Sequence, residues 1–452
     1  FPRRDIMPIT PEPAMVANND IECKLLLSTA ADWQAKSMWF YGVNESYGSF
    51  TATPEVSAKV ASLLTDARTE MDTIAILTHW VADNMRYAGI SMGEGEGFTL
   101  HNAQMNFTDR CGVCKDKAGM LVTMLRAAGM KAYAAMTMAH ERIDDIPADQ
   151  FNHSVCAVQT RDGNYLMLDP TWVPNTRELW SSAEQQQNYL IGLPEGDILR
   201  ETPISHPNNH YVFILNQCSI DAAGNLTGMI TISAEGQSDA AVRGVMNART
   251  ADWASNLERE LLAVDPRAHL IEVTHTSYDA YLDQPVQIFY KYFIPGYATV
   301  TKDALIFVPV TGSQFYRRAF GHLAFDPTPE TRQYGFTDRC SRLVNITDEI
   351  LLPYTYSKVS KAKSPQHEDR MDTGVRVRII KGVRKQWKYS HTAHLDDRWL
   401  TYTQEYVLPA RVYEAGDWSE FRRVVLSHKA ASIPFILTRY HPQPALIHIL
   451  NK

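Results

Sequence analysis

The sequence predicts an α+β protein in which a helical first part precedes an antiparallel sheet and a second, strand-rich region. Apolar residues recur at helical spacing between residues 54 and 128, and strand-like runs follow between 131 and 168. Beyond residue 203, short strand-like segments alternate with turn residues. At 452 residues the chain is long for one hydrophobic core, so we expect two or three domains.

The helices of the first part have recognisable ends. Thr53 and Pro54 predict an N-cap followed by a first helical residue. A second helix is predicted from Asp72 to Tyr87, where apolar residues recur at helical spacing. A third helix follows Cys114 and ends before Gly129, because glycine commonly closes a helix in the left-handed conformation.

The strands and later helices follow from alternation and turn signals. The predicted strands are Lys131–Met138, Asn152–Val158, Tyr165–Leu168, His210–Ile220, Leu226–Ala234, Ile271–Ser277, Val286–Phe293 and Ala304–Val310. Two helices, about Asp239–Leu262 and Trp418–Lys429, interrupt the later strands. We therefore predict three parts: an extended lead-in or remnant of a preceding domain at 1–24, a core at 25–202, and a β-rich C-terminal domain with two helices at 203–452.

Charge and composition exclude some classes of protein. The formal charge of −7 and the acidic pI argue against a nucleic-acid partner. A basic stretch between Lys358 and Lys388 is expected to be a solvated β face. No apolar run reaches the roughly 20 residues that a transmembrane helix needs. The chain begins at Phe1 without a visible signal peptide, and we expect it to be a processed or trimmed form.

One cysteine has the setting of a reactive thiol. Cys114 lies in the string Arg-Cys-Gly-Val-Cys-Lys-Asp-Lys-Ala at residues 110–118, directly before the apolar run of the third helix. A thiol at the first turn of a helix meets unpaired backbone N–H groups and the positive end of the helix dipole, which favour the thiolate. The sequence therefore predicts a nucleophile at Cys114.

His153 and Asp169 follow Cys114 in the order in which a thiol nucleophile needs a base and an orienting residue. They are 16 residues apart, so a hairpin centred on Arg161 would place them opposite each other on one face of two antiparallel strands. A two-residue turn at Asp162-Gly163 would instead separate them. The hypothesis thus requires a loop with an odd number of residues, or a compensating bulge.

Each of these residues also has a simpler interpretation. Cys111 and Cys114 form a Cys-x-x-Cys pair, which is typical of thiol–disulfide proteins or of half a zinc site. His153 alone is compatible with a buried structural histidine, and Asp169 before Pro170 is compatible with a turn. The three residues in this order favour catalysis, while a thiol–disulfide protein and a non-catalytic peptide- or glycan-binding protein remain as alternatives.

Together the motifs resemble the transglutaminase-like superfamily of papain-related thiol enzymes. The strings that carry the resemblance are Gly-Val-Cys-Lys-Asp-Lys-Ala at 112–118, Phe-Asn-His at 151–153 and Leu-Asp-Pro-Thr at 168–171. More narrowly, the chain is similar, over about residues 25–200, to a bacterial subgroup in which this core precedes a β-rich domain. Many members have aspartate where this chain has Val113, and position 111 is often not cysteine.

The resemblance implies a papain/transglutaminase-like core with Cys114 as nucleophile, His153 as general base and acid, and Asp169 as orienting residue. A side-chain donor to the oxyanion should come from upstream, and Gln104 is our candidate. The implied activity is hydrolysis of a peptide, a protein or an amide-bearing glycoconjugate, with transglutaminase-type crosslinking as an alternative. No metal or organic cofactor is required. An exported, periplasmic or cell-surface location is expected.

Overall fold

The computed structural model divides into two compact units, which are described separately. The first comprises residues 1–205 with the segments 332–341 and 410–416, and the second comprises 206–331, 342–409 and 417–452. The structure describes residues 8–89, 97–174, 176–246, 252–312, 314–317, 319–361, 373–380 and 383–441, without the side chains of 183 and 373–387. In the basic stretch between Lys358 and Lys388, residues 362–372 and 381–382 therefore lie outside the described residues.

The helices of the first unit begin where the sequence supplies capping groups. They are α1 Trp33–Tyr47, α2 Pro54–Leu63, α3 Glu70–Asn84, α4 Ala103–Asp109 and α5 Cys114–Ala127. Thr53 caps α2 as predicted, and its hydroxyl accepts the Val56 N–H. Helix α3 starts two residues earlier than predicted, because Thr69 and Asp72 form a reciprocal capping box. Gly129 follows α5 with φ of 81°, as predicted.

An antiparallel five-stranded sheet carries the second layer of this unit. In chain order the unit contains two short strands, β1 Arg86–Tyr87 and β2 Cys111–Gly112, which pair with each other. The sheet is built from β3 Lys131–Thr137, β4 His153–Gln159, β5 Tyr165–Leu168, β6 Asn188–Ile191 and β7 Arg200–Glu201, in the order β5-β4-β3-β6-β7. Helix α5 packs against β3 and β4, and it is buried from Lys115 to Leu125. The core thus fixes the position of α5 against the sheet.

The second unit is β-rich, and its main sheet has eight strands. Its elements are β8 Tyr211–Ile220, β9 Leu226–Ala234, α6 Gly236–Met246, α7 Trp253–Leu262, β10 His269–His275, β11 Val286–Ile294, β12 Thr299–Val300, β13 Ala304–Phe307, β15 Arg342–Leu351, β16 Tyr356–Lys361, β17 Thr373–Ile380, β18 Val383–Asp396, β19 Trp399–Leu408, α8 Trp418–Ala430 and β21 Phe435–Arg439. Strands β14 Phe336–Thr337 and β20 Val412–Tyr413 pair within the first unit. The main sheet runs β10-β11-β9-β8-β15-β19-β18-β17, and β12-β13-β21-β16 forms a second sheet.

The α+β fold class and the β-rich C-terminal region are confirmed, but the number of helices there is larger than predicted. The single helix expected from Asp239 to Leu262 is two helices, because Asp252 caps α7 by accepting the Ser255 N–H. With α8, the described part of this region therefore contains three α-helices rather than two. In the described residues, no helix is both long and apolar enough to cross a membrane.

Candidate active site

The site begins at the first residue of α5, which is Cys114. The carboxylate of Asp116, in the first turn, accepts the Val113 N–H at 2.8 Å and pairs with Nδ1 of His101 at 2.6 Å. A Cβ at Gly112 would lie 2.4 Å from an oxygen of Asp116, so only glycine fits there. The glycine and the aspartate of the motif therefore fix the position at which the helix starts.

A buried lysine holds the same helix to its neighbour. The Lys117 ammonium donates to the backbone carbonyls of Ala82 and Met85, at 2.9 Å each, near the end of α3. Burial lowers the Lys117 pKa to about 8, although the charges of Asp169 and Asp83 act in the opposite direction. The motif Cys-Lys-Asp-Lys thus supplies the thiol together with two side chains that anchor its helix.

The structure brings His153 and Asp169 together beside Cys114. Nε2 of His153 lies 2.8 Å from Oδ2 of Asp169, and both side chains are buried. The other oxygen of Asp169 accepts the Thr171 N–H at 2.8 Å. Since Nε2 is used by Asp169, Nδ1 is the nitrogen left for the hydrogen bond between His153 and Cys114. The His153 imidazole therefore uses one ring nitrogen for Asp169 and has the other for Cys114.

The loop of the β4–β5 hairpin contains an odd number of residues, as predicted, but its centre is shifted by one residue. Gln159 pairs with Tyr165, so the loop contains residues 160–164, an odd number, and is centred on Asp162 instead of Arg161. The Asp162 carboxylate accepts from the Thr160 hydroxyl and the Asn164 N–H, which fixes the turn there. His153 and Asp169 consequently share a face as diagonal neighbours rather than as directly opposed residues.

The electrostatics favour a thiolate–imidazolium pair. Burial raises the pKa of Cys114, but the hydrogen bond and charge of His153 and the N–H groups of Ser154 and Lys115 outweigh it, so the pKa is lowered. Burial lowers the pKa of His153, whereas Asp169, Cys114 and Glu184 raise it to about 11. A lowered pKa of the thiol and a raised pKa of the imidazole are what an activated thiol nucleophile requires.

A fourth side chain, Glu184, lies against this pair and was not predicted. It ends the short 3₁₀ helix Ser182–Glu184, and its Oε1 lies 4.0 Å from Nε2 of His153. Nitrogen and oxygen atoms of His153, Asp169 and Glu184 all lie within 4.8 Å of one another, a spacing that could also hold a metal ion. The hydrogen bond between His153 and Asp169 uses the atoms that would otherwise bind a metal. We therefore interpret these three residues as a hydrogen-bonding and proton-transfer group.

Two aromatic side chains border the site. Trp172, which is 48% exposed, presents its ring to His153 and His140 in edge-to-face contacts, with centroids 6.3 and 5.9 Å apart. Tyr87 is 56% exposed, and its pKa is raised by burial and then by the charges of Cys114, Asp116 and Asp169. Trp172 directly follows the Leu-Asp-Pro-Thr string in the sequence, but nothing in the sequence indicates its contact with His140.

The other two residues considered in the sequence analysis are Gln104 and Cys111. Gln104 is exposed on α4, and its amide donates to the Thr108 hydroxyl in the same helix at 3.1 Å. That bond gives no support to an oxyanion role, which stays a prediction. Cys111 is a free thiol in β2, paired with Arg86, and it is not disulfide-bonded to Cys114.

Comparison with known proteins supports the fold and the family resemblance. The family model of the transglutaminase-like superfamily matches residues 57–170, a range that contains all three predicted catalytic residues. The resemblance inferred from the motifs is thereby confirmed. No curated protein matches the chain.

Among solved structures, a chain described as a "putative protease" from Parabacteroides distasonis aligns with a TM-score of 0.50 and 12% identity. The alignment covers 90% of this chain and 59% of that one, so this chain spans less than two thirds of its neighbour. A "putative cysteine protease" from Cytophaga hutchinsonii aligns over 28% of this chain and 40% of that one, at 19% identity and a TM-score of 0.23. At these identities the first likeness supports the fold alone, and the second carries no argument.

Proposed function

We propose that this transglutaminase-like chain is a thiol-dependent hydrolase of amide or peptide bonds. Cys114 is the nucleophile, His153 the general base and acid, and Asp169 the residue that orients the imidazole. The observation that carries the proposal is the buried hydrogen bond between His153 and Asp169 beside the half-buried thiol of Cys114, whose pKa His153 lowers at the N-terminus of a helix. A protein that only binds peptide or glycan has no use for this arrangement.

The chemistry follows from the charges and donors of the site. The Cys114 thiolate attacks the carbonyl carbon of the substrate, and the backbone N–H of Cys114 faces the oxyanion that forms. The His153 imidazolium gives its Nδ1 proton to the leaving amine, the C–N bond breaks, and a thioester remains. His153, now neutral, takes a proton from water; the hydroxide displaces the thiolate, and a carboxylic acid is released.

The substrate class is a peptide, a protein or an amide-bearing glycoconjugate, and the proposed location is outside the cytoplasm. Water is the proposed acceptor of the acyl group, although an amine acceptor would use the same thioester and yield a crosslink. The two outcomes can be separated directly. A glutamine-containing peptide is incubated with and without a primary amine. A hydrolase gives the free acid in both incubations, whereas a crosslinking enzyme gives a new secondary amide when the amine is present.

Alkylation of Cys114 tests the activation of the thiol. At about pH 6 an ordinary thiol is almost entirely protonated, so iodoacetamide should modify Cys114 at least about tenfold faster than the exposed Cys23. Replacing His153 by alanine removes the positive charge and should lower the rate to that of Cys23. The two modified peptides are resolved by mass spectrometry after digestion, so Cys23 serves as an internal control.

Two results would contradict the proposal. Equal rates for Cys114 and Cys23 in the unmodified chain would show that the thiol is not activated. A fast rate that persisted in the His153→Ala variant would show that His153 is not the activating base. A Cys111→Ser variant with unchanged Cys114 reactivity is also expected, and a loss of reactivity there would favour the thiol–disulfide alternative.

A further inference from the structure

Glu184 is a buried carboxyl group that the proposed reaction does not use. Its side chain is about 1% exposed, and it faces the charged groups Asp169, His153 and Arg411. Its backbone is held in place, because its N–H donates to the Ser181 carbonyl and its own carbonyl accepts the Thr202 hydroxyl. The residue therefore has a fixed position against the Asp169–His153 pair.

The carboxyl oxygens of Glu184 lack ordinary donors. In the described part of the chain, neither oxygen receives a hydrogen bond from an N–H or hydroxyl group, although both are buried. A buried carboxylate in that situation would be strongly unfavourable, whereas a carboxylic acid could donate its own proton. The nearby acceptor is Asp169, whose carboxylate oxygen lies within 4.8 Å of the carboxyl of Glu184.

The charges agree with a neutral Glu184. Burial and the negative charge of Asp169 raise the pKa of Glu184 well above its usual value, although His153 and Arg411 act in the opposite direction. Burial raises the pKa of Asp169, but His153, the Glu184 hydrogen bond and the Thr171 N–H lower it overall. The pKa values of the two carboxyl groups are thus shifted in opposite directions, as expected for two acids that share a buried site.

We infer that Glu184 is a positioning residue: as a carboxylic acid it donates a hydrogen bond to Asp169 and holds that carboxylate in the orientation that receives His153. With the Thr171 N–H and His153, Asp169 then has three donors around one buried carboxylate. This inference rests on the proposed function, since Asp169 matters only if it orients the base for Cys114. It assigns a role to a carboxyl group that no motif in the sequence indicates.

Two substitutions of similar volume separate donation from packing. Glu184→Gln keeps a side-chain donor for Asp169, whereas Glu184→Met fills the same space without one. The measurement is the rate of iodoacetamide modification of Cys114 against pH, with Cys23 as internal reference. We expect Glu184→Gln to follow the unmodified chain closely and Glu184→Met to be about tenfold slower near neutral pH. Glu195→Met, at an exposed position, is the matched control and should change nothing.

The outcomes distinguish the inference from the function it rests on. If Cys114 of the unmodified chain is no faster than Cys23, the proposed function fails. If Cys114 is fast and Glu184→Met leaves its pH profile unchanged, only the role of Glu184 is overturned. Equal losses in Glu184→Gln and Glu184→Met would also overturn it, because the negative charge of Glu184 would then be what matters. Thermal unfolding of both variants verifies that they are folded at the assay temperature.

Discussion

The replacement of Gly112 by alanine tests how the start of the cysteine helix is held. A Cβ at this position would lie 2.4 Å from Oδ2 and 2.5 Å from Cβ of Asp116. Asp116 cannot move aside freely, because its two oxygens are bonded to the Val113 N–H and to His101. The variant must therefore displace the carboxylate that caps α5 or shift the backbone that leads into Cys114.

The expected loss of stability is the sum of two effects. Forcing a methyl group into a packed site costs about 1–3 kcal/mol. Breaking the hydrogen bond that caps the helix costs about 1 kcal/mol more. We therefore expect Gly112→Ala to lower the free energy of unfolding of the first unit by about 2–4 kcal/mol. The alkylation rate of Cys114 should fall as well, since the thiol loses its place beside His153.

The assay is urea unfolding of the full chain, with Gly42→Ala as a matched control. Gly42 lies inside α1, and a Cβ there meets no atom within 4 Å. The same substitution should therefore stabilise that helix by about 0.5–1 kcal/mol, because alanine is the better helix former. If Gly112→Ala were as stable as the unmodified chain, Asp116 would not be the rigid cap described above.

Two further substitutions test buried charges. Lys117→Met leaves the backbone carbonyls of Ala82 and Met85, at the end of α3, without their donor, so the free energy of unfolding should fall by about 2–4 kcal/mol; an unchanged urea midpoint would contradict this. Burial raises the pKa of Asp348 to about 6, so the folded state favours its protonated form and loses stability as pH rises from about 4 to 6. Over that pH range, the free energy of unfolding of Asp348→Asn should rise by about 2–3 kcal/mol relative to that of the unmodified chain. A stability difference that is constant with pH would refute it.

Local signals in the sequence predicted the elements that position the nucleophile. Thr53 and Gly129 mark helix ends because they satisfy backbone groups within their own turn, and such bonds need no knowledge of the fold. The spacing of His153 and Asp169 likewise predicted that the hairpin loop contains an odd number of residues, which is also a local property of the chain. The centre of the loop was misplaced because the side-chain bonds of Asp162 decided which residues form the loop.

Residues that act across the fold were not predictable from local patterns. Glu184 lies 4.0 Å from His153 although it is about 30 residues further along the chain, and nothing near Glu184 in the sequence indicates that contact. Arg411 acts on Glu184 from a segment more than two hundred residues away. The cap of α7 at Asp252 was a local signal that the long apolar periodicity from 239 to 262 obscured.

The most direct test of the central claim is detection of the acyl-enzyme. The full chain is mixed with a panel of amide and peptide substrates, quenched in acid and analysed by mass spectrometry. The account predicts a thioester adduct on the peptide that contains Cys114, equal in mass to the acyl part of a substrate, and no adduct in Cys114→Ala. Turnover of a substrate by the Cys114→Ala variant, or an adduct at another cysteine, would contradict it.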